Sequence, residues 1–290
     1  MTAETERFFD QLLAALPGLT RHHRMDDSLY LLLKEAAIGH AHAAFSAEQP
    51  EPQGFGPFGK ILFPYHRMGA IDSVDLFGID ELIIFSFYHL NRQRYRKVAD
   101  IGANLGLHSL ILDRCGFEVR CFEPDPVHFK LLQGNLAANG ARHVTPTQAA
   151  VSDQPGETEF VRVLGNTTGS HIKGARSNPY GELEVFKVKL MEFRAIAAWA
   201  DLIKMDIEGH ERQVLLATSR EDWAGTDMMM EVTGEENAAA IFEHMNAIGV
   251  NLFAQQIGWE RVTRSSDMPT SHRTGSLFIS ARPRMPWQLD

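Results

Sequence analysis

Apolar positions near the start of the chain fall at Phe8, Phe9, Leu12, Leu13 and Leu16. This i, i+4, i+8 stripe predicts an amphipathic helix over 3–16, ended at Pro17-Gly18. Residues 27–45, rich in Leu and Ala, predict a second helix. The Pro/Gly-rich run from Glu48 to Gly54 breaks the pattern, and residues 55–75 predict irregular chain with short extended pieces. Helical spacing returns from Ile79 to Arg94, with Asp80 and Glu81 in the first turn, where acids complement the helix dipole. After Lys97 the texture changes. Apolar strands (VADI, FEVRCF, VTPTQAAV, DLIKMDI, DMMMEV, VNLFAQ, GSLFIS) now alternate with helical patterns at 107–115, 126–139, 210–218 and 236–248. Such alternation predicts an α/β fold with a doubly wound, mostly parallel sheet. The helix over 126–139 is well marked: Asp125 caps it, Pro126 suits its first turn and Asn139-Gly140 ends it. The segment 158–190 interrupts the alternation with two added strands, TEFVRV and EVFKVKL, around a polar loop at 165–181. The layout is an N-terminal helical and irregular cap region, 1–94, and a core, 95–290, carrying a strand/loop insert at 155–190.

Composition narrows the function classes. The chain has 290 residues, 44% hydrophobic and 22% charged, which suits a globular protein with a sizeable core. A formal net charge of −9 without a Lys/Arg block argues against nucleic acid as the partner, because phosphate binding leaves a basic footprint. Cys115 and Cys121 form no disulfide framework or zinc pattern and read as buried hydrophobes of a reducing compartment. No apolar run reaches the length of a membrane span, and the start, with Glu4 and Glu6, is unlike a signal peptide. A cytoplasmic location is expected.

The stretch VADIGANLG places a glycine-spaced turn between a strand and a helix. The turn is Asp100-x-Gly102-x-x-x-Gly106, not the Gly-x-Gly-x-x-Gly that brings backbone close to a pyrophosphate. Two residues before Gly106 stands Asn104, which has a side chain, and Asp100 would repel phosphate. An acid there suits a cationic or amine-bearing ligand. Further on, Glu123 ends the strand FEVRCF, just before Pro124-Asp125-Pro126. A carboxylate at the end of the second strand is placed to accept both ribose hydroxyls of an adenosine. Ribose recognition without phosphate recognition points to S-adenosylmethionine (SAM), which joins adenosine, an amino acid and a sulfonium.

VADIGANLGLHS, CFEPDP, AAVSDQPG and LIKMDIEGHE, in this order, resemble the FkbM family of SAM-dependent methyltransferases. The resemblance covers 95–220 well, the rest of the core loosely and the N-terminal region hardly at all. It implies a Rossmann-like class I methyltransferase fold, seven-stranded with an antiparallel edge strand, and methyl transfer, most often to oxygen of a sugar or natural-product hydroxyl. Rival readings are methyl transfer to nitrogen or to a macromolecule, and a non-catalytic nucleotide-binding protein of the same fold.

In the resemblance Asp100, Gly102 and Gly106 form the methionine-side turn, where Asn104 either points at the ligand or only caps the turn. Glu123 with Pro124 meets the ribose. Strand 144–151 delivers Ala150, Val151, Ser152 and Asp153 to the sheet edge as an adenine slot, with Ser152 and Asp153 as alternative partners of the exocyclic amine. In LIKMDIEGHE, period-two alternation puts Lys204, Asp206 and Glu208 on one face, and Glu231 ends the neighbouring strand. A Lys204–Glu231 or Lys204–Asp206 pair would hold the strand ends together. Functionally, Asp206 would sit beside the SAM amine or the acceptor, and Glu208 and His210 would line the acceptor pocket. A general base helps methyl transfer to a hydroxyl; His210 is one candidate, and His171, in the polar insert, is another that could fold over the site. His108 reads as packed in the helix start. The acids together with His210 could hold a divalent cation through hard ligands, although no ligand spacing demands a metal. Asn178-Pro179-Tyr180 is similar to the Asn/Asp-Pro-Pro-Tyr signature of amine methyltransferases, yet lies in a Gly-rich loop and reads as a turn. The expected partner is a small-molecule acceptor, with no nucleic acid and no membrane. The N-terminal helices would serve as a lid or as a homodimer surface.

Overall fold

The computed structural model describes residues 3–175 and 181–287; Asn178-Pro179-Tyr180 lies outside the described residues. Helices α1 (Ala3–Ala15) and α2 (Ser28–Phe45) appear where the apolar stripes place them, the second capped by Asp27, whose side chain accepts from the Leu29 N–H at 2.8 Å. A two-residue pair, β1 (Gln53–Gly54) and β2 (Lys60–Ile61), and helix α3 (Ile79–Leu90) complete the N-terminal region. The core then runs β3 (Lys97–Ile101), α4 (Leu107–Arg114), β4 (Glu118–Phe122), α5 (Pro126–Ala138) and β5 (Val144–Thr147). The insert follows as β6 (Ala150–Ser152), β7 (Gly156–Val163), β8 (His171–Ile172) and β9 (Leu183–Glu192). The chain returns to the core with α6 (Phe193–Ala197), β10 (Leu202–Met205), α7 (Glu211–Leu216), β11 (Asp227–Met230), α8 (Glu235–Ala247), β12 (Asn251–Ala254), β13 (Glu260–Arg261) and β14 (Leu277–Ser280).

The main sheet has the order β13-β12-β14-β11-β10-β3-β4-β5. Strands β11, β10, β3, β4 and β5 pair in parallel. Strand β14 enters antiparallel between β11 and β12, and β13 is an antiparallel edge strand on β12. This is the doubly wound sheet that the alternation predicts and the Rossmann-like arrangement that the resemblance implies, with eight strands instead of seven. The eighth, β13, has two exposed residues and therefore no periodic signal to read. One boundary also differs. VTPTQAAV, read as a single strand, is split: β5 stays in the main sheet, while β6 joins a four-stranded sheet of order β6-β9-β7-β8 with the insert.

Strand alternation divides the apolar interior into two cores. On β3, β10 and β11, Val98, Leu202 and Met229 face α3, α4 and the N-terminal helices. Ala99, Ile101, Ile203, Met205, Met228 and Met230 face α6, α7 and α8. Strands covered on both faces must be apolar nearly throughout, which is why DMMM carries no polar alternation. Residues 3–90 share the first core with the sheet, Phe9, Phe45 and Phe77 belonging to the same cluster as Leu110 and Val119. The chain turns from one wing of the sheet to the other between β3 and β10, and there a ligand crevice opens at the carboxyl ends of the strands.

Candidate active site

A cavity of about 530 Å³ opens at this switch point. Its floor is the turn after β3. Gly102 has φ 78° and sits so close to the Asp206 carbonyl that a side chain would collide with it. The Gly102 and Ala103 N–H groups both donate to the Phe122 carbonyl at 3.0 Å, tying the turn to β4. Gly106, at φ 84°, precedes α4 and lies against Leu132, where a Cβ would come within 2.9 Å of the leucine side chain. Asn104 occupies a left-handed conformation too (φ 51°) and lines the cavity, and its buried Oδ1 has no hydrogen-bond partner among the described residues. Short polar side chains tolerate that backbone best.

Glu123 lies at the carboxyl end of β4 and is 6% exposed. Its Oε2 accepts from the Asn104 N–H and its Oε1 from the Asp125 N–H, each at 2.8 Å. Each oxygen therefore keeps lone-pair capacity on its cavity side. Burial pushes the Glu123 carboxyl up to about 8, against the pull of those two N–H groups. The wall beside it is apolar: Phe122, Ala150, Val151, Phe160 and Ile172 line the same cavity. An acid flanked by an apolar slot fits the ribose and adenine of a nucleoside, and the open Asn104 oxygen leaves an acceptor in the turn. These residues fit SAM.

Behind the turn, Asp100 is fully buried and accepts from Ser109 Oγ at 2.6 Å, while its Oδ1 has no hydrogen-bond partner among the described residues. Asp100 and Lys204 are register partners on β3 and β10, so their side chains share one face. Lys204 Nζ lies 4.0 Å from Asp100 and 3.9 Å from Asp206, and donates to the Gly102 carbonyl at 3.4 Å. Burial opposes its charge, but the carboxylates of Asp206, Asp100, Glu81 and Glu231 hold its pKa above the ordinary lysine value. The ion pair expected on this strand is thus Lys204–Asp206, with Asp100 as a second partner. Glu231 contributes its field from the neighbouring strand end.

The opposite end of the cavity is acidic. Asp75, Glu81, Asp206, Glu208 and Glu231 line it, and four of these (all but Glu208) also line a side pocket of about 170 Å³. Glu81 Oε2 lies 2.7 Å from His108 Nε2, and His108 Nδ1 accepts from Tyr88 Oη at 3.1 Å, a chain running from the cavity into the core. Burial pushes the Glu231 carboxyl well above the usual range, and the nearby charges of Asp206 and Glu208 push it further. Glu208 has φ 55°, an uncommon backbone for a residue with a side chain, in the turn that ends β10.

The structure gathers Gly102, Asn104, Glu123, Pro124, Ala150, Val151, Asp206, Glu208 and Glu231 around one cavity, as the sequence places them. Five other candidates lie outside its lining. Asp100 and Gly106 support the turn from behind. Ser152 turns away and donates to Asp153 Oδ1 at 2.8 Å, so it does not face the adenine slot. His210 is the residue before α7 and faces a different, open cleft, with its Nε2 2.9 Å from Ser152 Oγ. His171 is buried in β8, its Nδ1 donating to the Gly169 carbonyl at 2.9 Å, and does not fold over the site. The two rings are held differently, His171 by a carbonyl two residues away and His210 by Ser152 of strand β6. Among the described residues, no group of three or more His, Cys, Asp or Glu side chains is arranged to hold a metal ion. No described helix is long and apolar enough to cross a membrane.

Comparison with known proteins places the chain in a family. Residues 100–251 match the family model of the methyltransferase FkbM domain. The chain belongs to the FkbM methyltransferase family. Two curated relatives of this FkbM protein are 31-O-demethyl-FK506 methyltransferase FkbM of Streptomyces tacrolimicus, 32% identical over 162 residues, and methyltransferase sdnD of Sordaria araneosa, 28% identical over 159. Each alignment covers 43% of this chain, and the chain spans only 60% and 61% of the two relatives. Among solved structures, precorrin-6y C5,15-methyltransferase from Geobacter metallireducens GS-15 aligns over 66% of this chain and 82% of its own, at 13% identity and a TM-score of 0.35.

Several residues of the FkbM site escape a reading of the sequence. Glu81 comes from α3, outside the family match, and reads there only as a dipole-favouring acid. Asp75 and Thr167, from single 3-10 turns, and Asn166 and His272, from loops, reach the cavity on segments too short to carry a periodic signal. Asp125 reads as a helix cap, and that role hides its ion pair with Arg162.

Proposed function

We propose that this FkbM protein transfers a methyl group from SAM to a hydroxyl of a small acceptor, a sugar or a secondary metabolite. The observation that carries the reading is Glu123, a buried carboxyl at the carboxyl end of β4 with both oxygens fixed by backbone N–H groups inside an apolar-walled cavity. SAM supplies a methyl group on a sulfonium, a good leaving group. Most of what remains for the protein is positioning. The turn Gly102–Gly106 would hold the amino-acid end with Asp206 beside its amine, Glu123 would accept from the ribose hydroxyls, and Phe122, Ala150, Val151, Phe160 and Ile172 would supply the apolar slot for the adenine. At the acidic end, Glu208 takes the proton of the acceptor hydroxyl. Glu231, whose carboxyl is pushed well above the usual range by burial and then by the charges of Asp206 and Glu208, faces the acceptor beside it. His210 stays outside this chemistry because it faces another cleft. The name of the Streptomyces relative, a 31-O-demethyl-FK506 methyltransferase, supports transfer to oxygen.

A specific observation favours a second reading. Five carboxyl groups at the acceptor end would welcome a cationic acceptor, so methylation of an amine is the alternative. Titration calorimetry with SAM, S-adenosylhomocysteine and NAD tests the donor: the first two bind and NAD does not. Binding of NAD alone would overturn it. Radiolabelled methyl transfer to parallel panels of hydroxylated and amine-bearing acceptors, with the product bond identified by mass spectrometry, separates oxygen from nitrogen.

A further inference from the structure

The insert is more than an elaboration at the rim. Along β7, period-two alternation places Phe160 and Arg162 on one face. Phe160 lines the cavity, whereas Arg162 is buried beside it, at 8% exposure, and does not. Its Nε donates to Asp125 Oδ2 at 2.5 Å and its Nη2 to Asp125 Oδ1 at 2.6 Å, a bidentate fork. Glu184, its register partner on β9, takes Nη1 at 2.5 Å, and the guanidinium rests 4.9 Å from the Phe186 ring centre. Asp125 is itself committed on every side. Its Oδ1 caps α5 through the Val127 and His128 N–H groups, and its own N–H donates to Glu123 Oε1 at 2.8 Å. The guanidinium therefore reaches Glu123 through a single residue whose backbone aims the carboxyl. A second tie runs nearby, where His128 Nε2 meets Thr167 Oγ1 of the insert at 3.0 Å.

We propose that Arg162 is a positioning residue for ribose recognition: by clamping Asp125 it fixes the turn that aims Glu123, and so couples the insert sheet to the affinity for the nucleoside. This rests on the SAM reading above. A fork suits the task, since a lysine supplies one point of charge and cannot hold both Asp125 oxygens at once. Removing the clamp should therefore damage recognition of the ribose hydroxyls more than recognition of the base.

The test is a comparison of two ligands, adenosine and 2′,3′-dideoxyadenosine, measured by displacement of S-adenosylhomocysteine from the full chain. The variants are Arg162→Lys, Arg162→Met and Glu123→Ala, with the two doubles Arg162→Lys/Glu123→Ala and Arg162→Met/Glu123→Ala. The unaltered protein is expected to prefer adenosine. Arg162→Lys and Arg162→Met are expected to lower that preference about tenfold while dideoxyadenosine affinity stays within about twofold. In the Glu123→Ala background neither change should lower it further, which is the coupling that a double-mutant cycle reads. If both ligands weaken together, Arg162 merely supports the adenine wall and the proposal falls. It falls equally if the preference does not change. Arg162→Lys keeps the buried charge and answers the question should Arg162→Met fail to fold. Failure of the unaltered protein to bind S-adenosylhomocysteine would instead sink the SAM reading itself.

Discussion

The two ends of the cavity are built differently. The end around Glu123, which we propose takes the donor, is made from contiguous strand–turn–helix segments and is held by hydrogen bonds of backbone N–H groups: Gly102 and Ala103 to Phe122, Asn104 and Asp125 to Glu123. The acidic end, which we propose takes the acceptor, is assembled from far-apart segments, α3, the turns after β10 and β11 and the loop around His272, and its carboxyl groups answer to burial, to one another and to Lys204. Backbone-held sites depend on conformation and tolerate little change in it. Side-chain-held sites depend on charge and can be rewritten residue by residue. One fold can therefore keep its donor while its acceptor changes.

The sharpest contrast should come from single substitutions at each end. Glu208→Gln is expected to lower turnover by about 10²–10⁴-fold, the range of general-base contributions, with SAM affinity unchanged; steady-state rates beside calorimetry check it, and a parallel loss of affinity would move Glu208 to the donor end. Gly102→Ala should do the reverse. It pushes a Cβ into the Asp206 carbonyl at a positive φ, so the protein should lose about 3 kcal/mol of stability, seen in denaturant unfolding, together with its SAM binding. Glu123→Ala should leave the fold intact and weaken SAM by about 1.5–3 kcal/mol for each charge-assisted bond lost. An unchanged dissociation constant would remove Glu123 from the ribose.

Acidity distinguishes the ends in a subtler way. Because burial raises the Glu123 carboxyl to about 8, the folded protein without cofactor holds a proton there that the unfolded chain releases near the ordinary carboxylate value of 4.5. The stability that this group contributes is full below that ordinary value and fades as pH rises towards 8. Ribose hydroxyls donate best to the ionised form, so SAM affinity should climb between pH 6 and 8 and then level. Calorimetry across that range in buffers of different ionisation enthalpy would show the released proton, and a flat profile would contradict it. The smallest effect is expected at His210→Ala, where neither SAM affinity nor turnover should shift by more than about 0.5 kcal/mol, as for substitutions away from special features; a selective loss of turnover would return His210 to the chemistry.

This division also explains how much could be read in advance. The doubly wound sheet, the turn at 100–106 and the place of Glu123 at the end of β4 are local in sequence, each fixed by a strand period, a glycine spacing or a helix cap. The acceptor end is not local. Glu81 looks like a dipole-favouring acid in the first turn of α3 until folding sets it against His108 and Lys204. Ser152 and His210 were legible as neighbours of the site, but the direction of a side chain at a strand end depends on which sheet the strand joins. Strand β6 leaves the main sheet, and so Ser152 meets His210 instead of the cavity. Arg162 gave no signal at all, because its partner Asp125 was already accounted for as a cap.

The shared aromatic core has a practical corollary for anyone who would redesign the acceptor end. Phe45 stacks on Phe77 at 3.9 Å, Phe55 and Phe58 pack on Phe85, and Phe85 meets His108 on α4 at 4.9 Å. A chain trimmed to residues 95–290 would present α4 with a bare apolar wall, an adhesive surface in solution. Grafting experiments should accordingly transplant the first ninety residues together with the core they lean on, as one inheritable block.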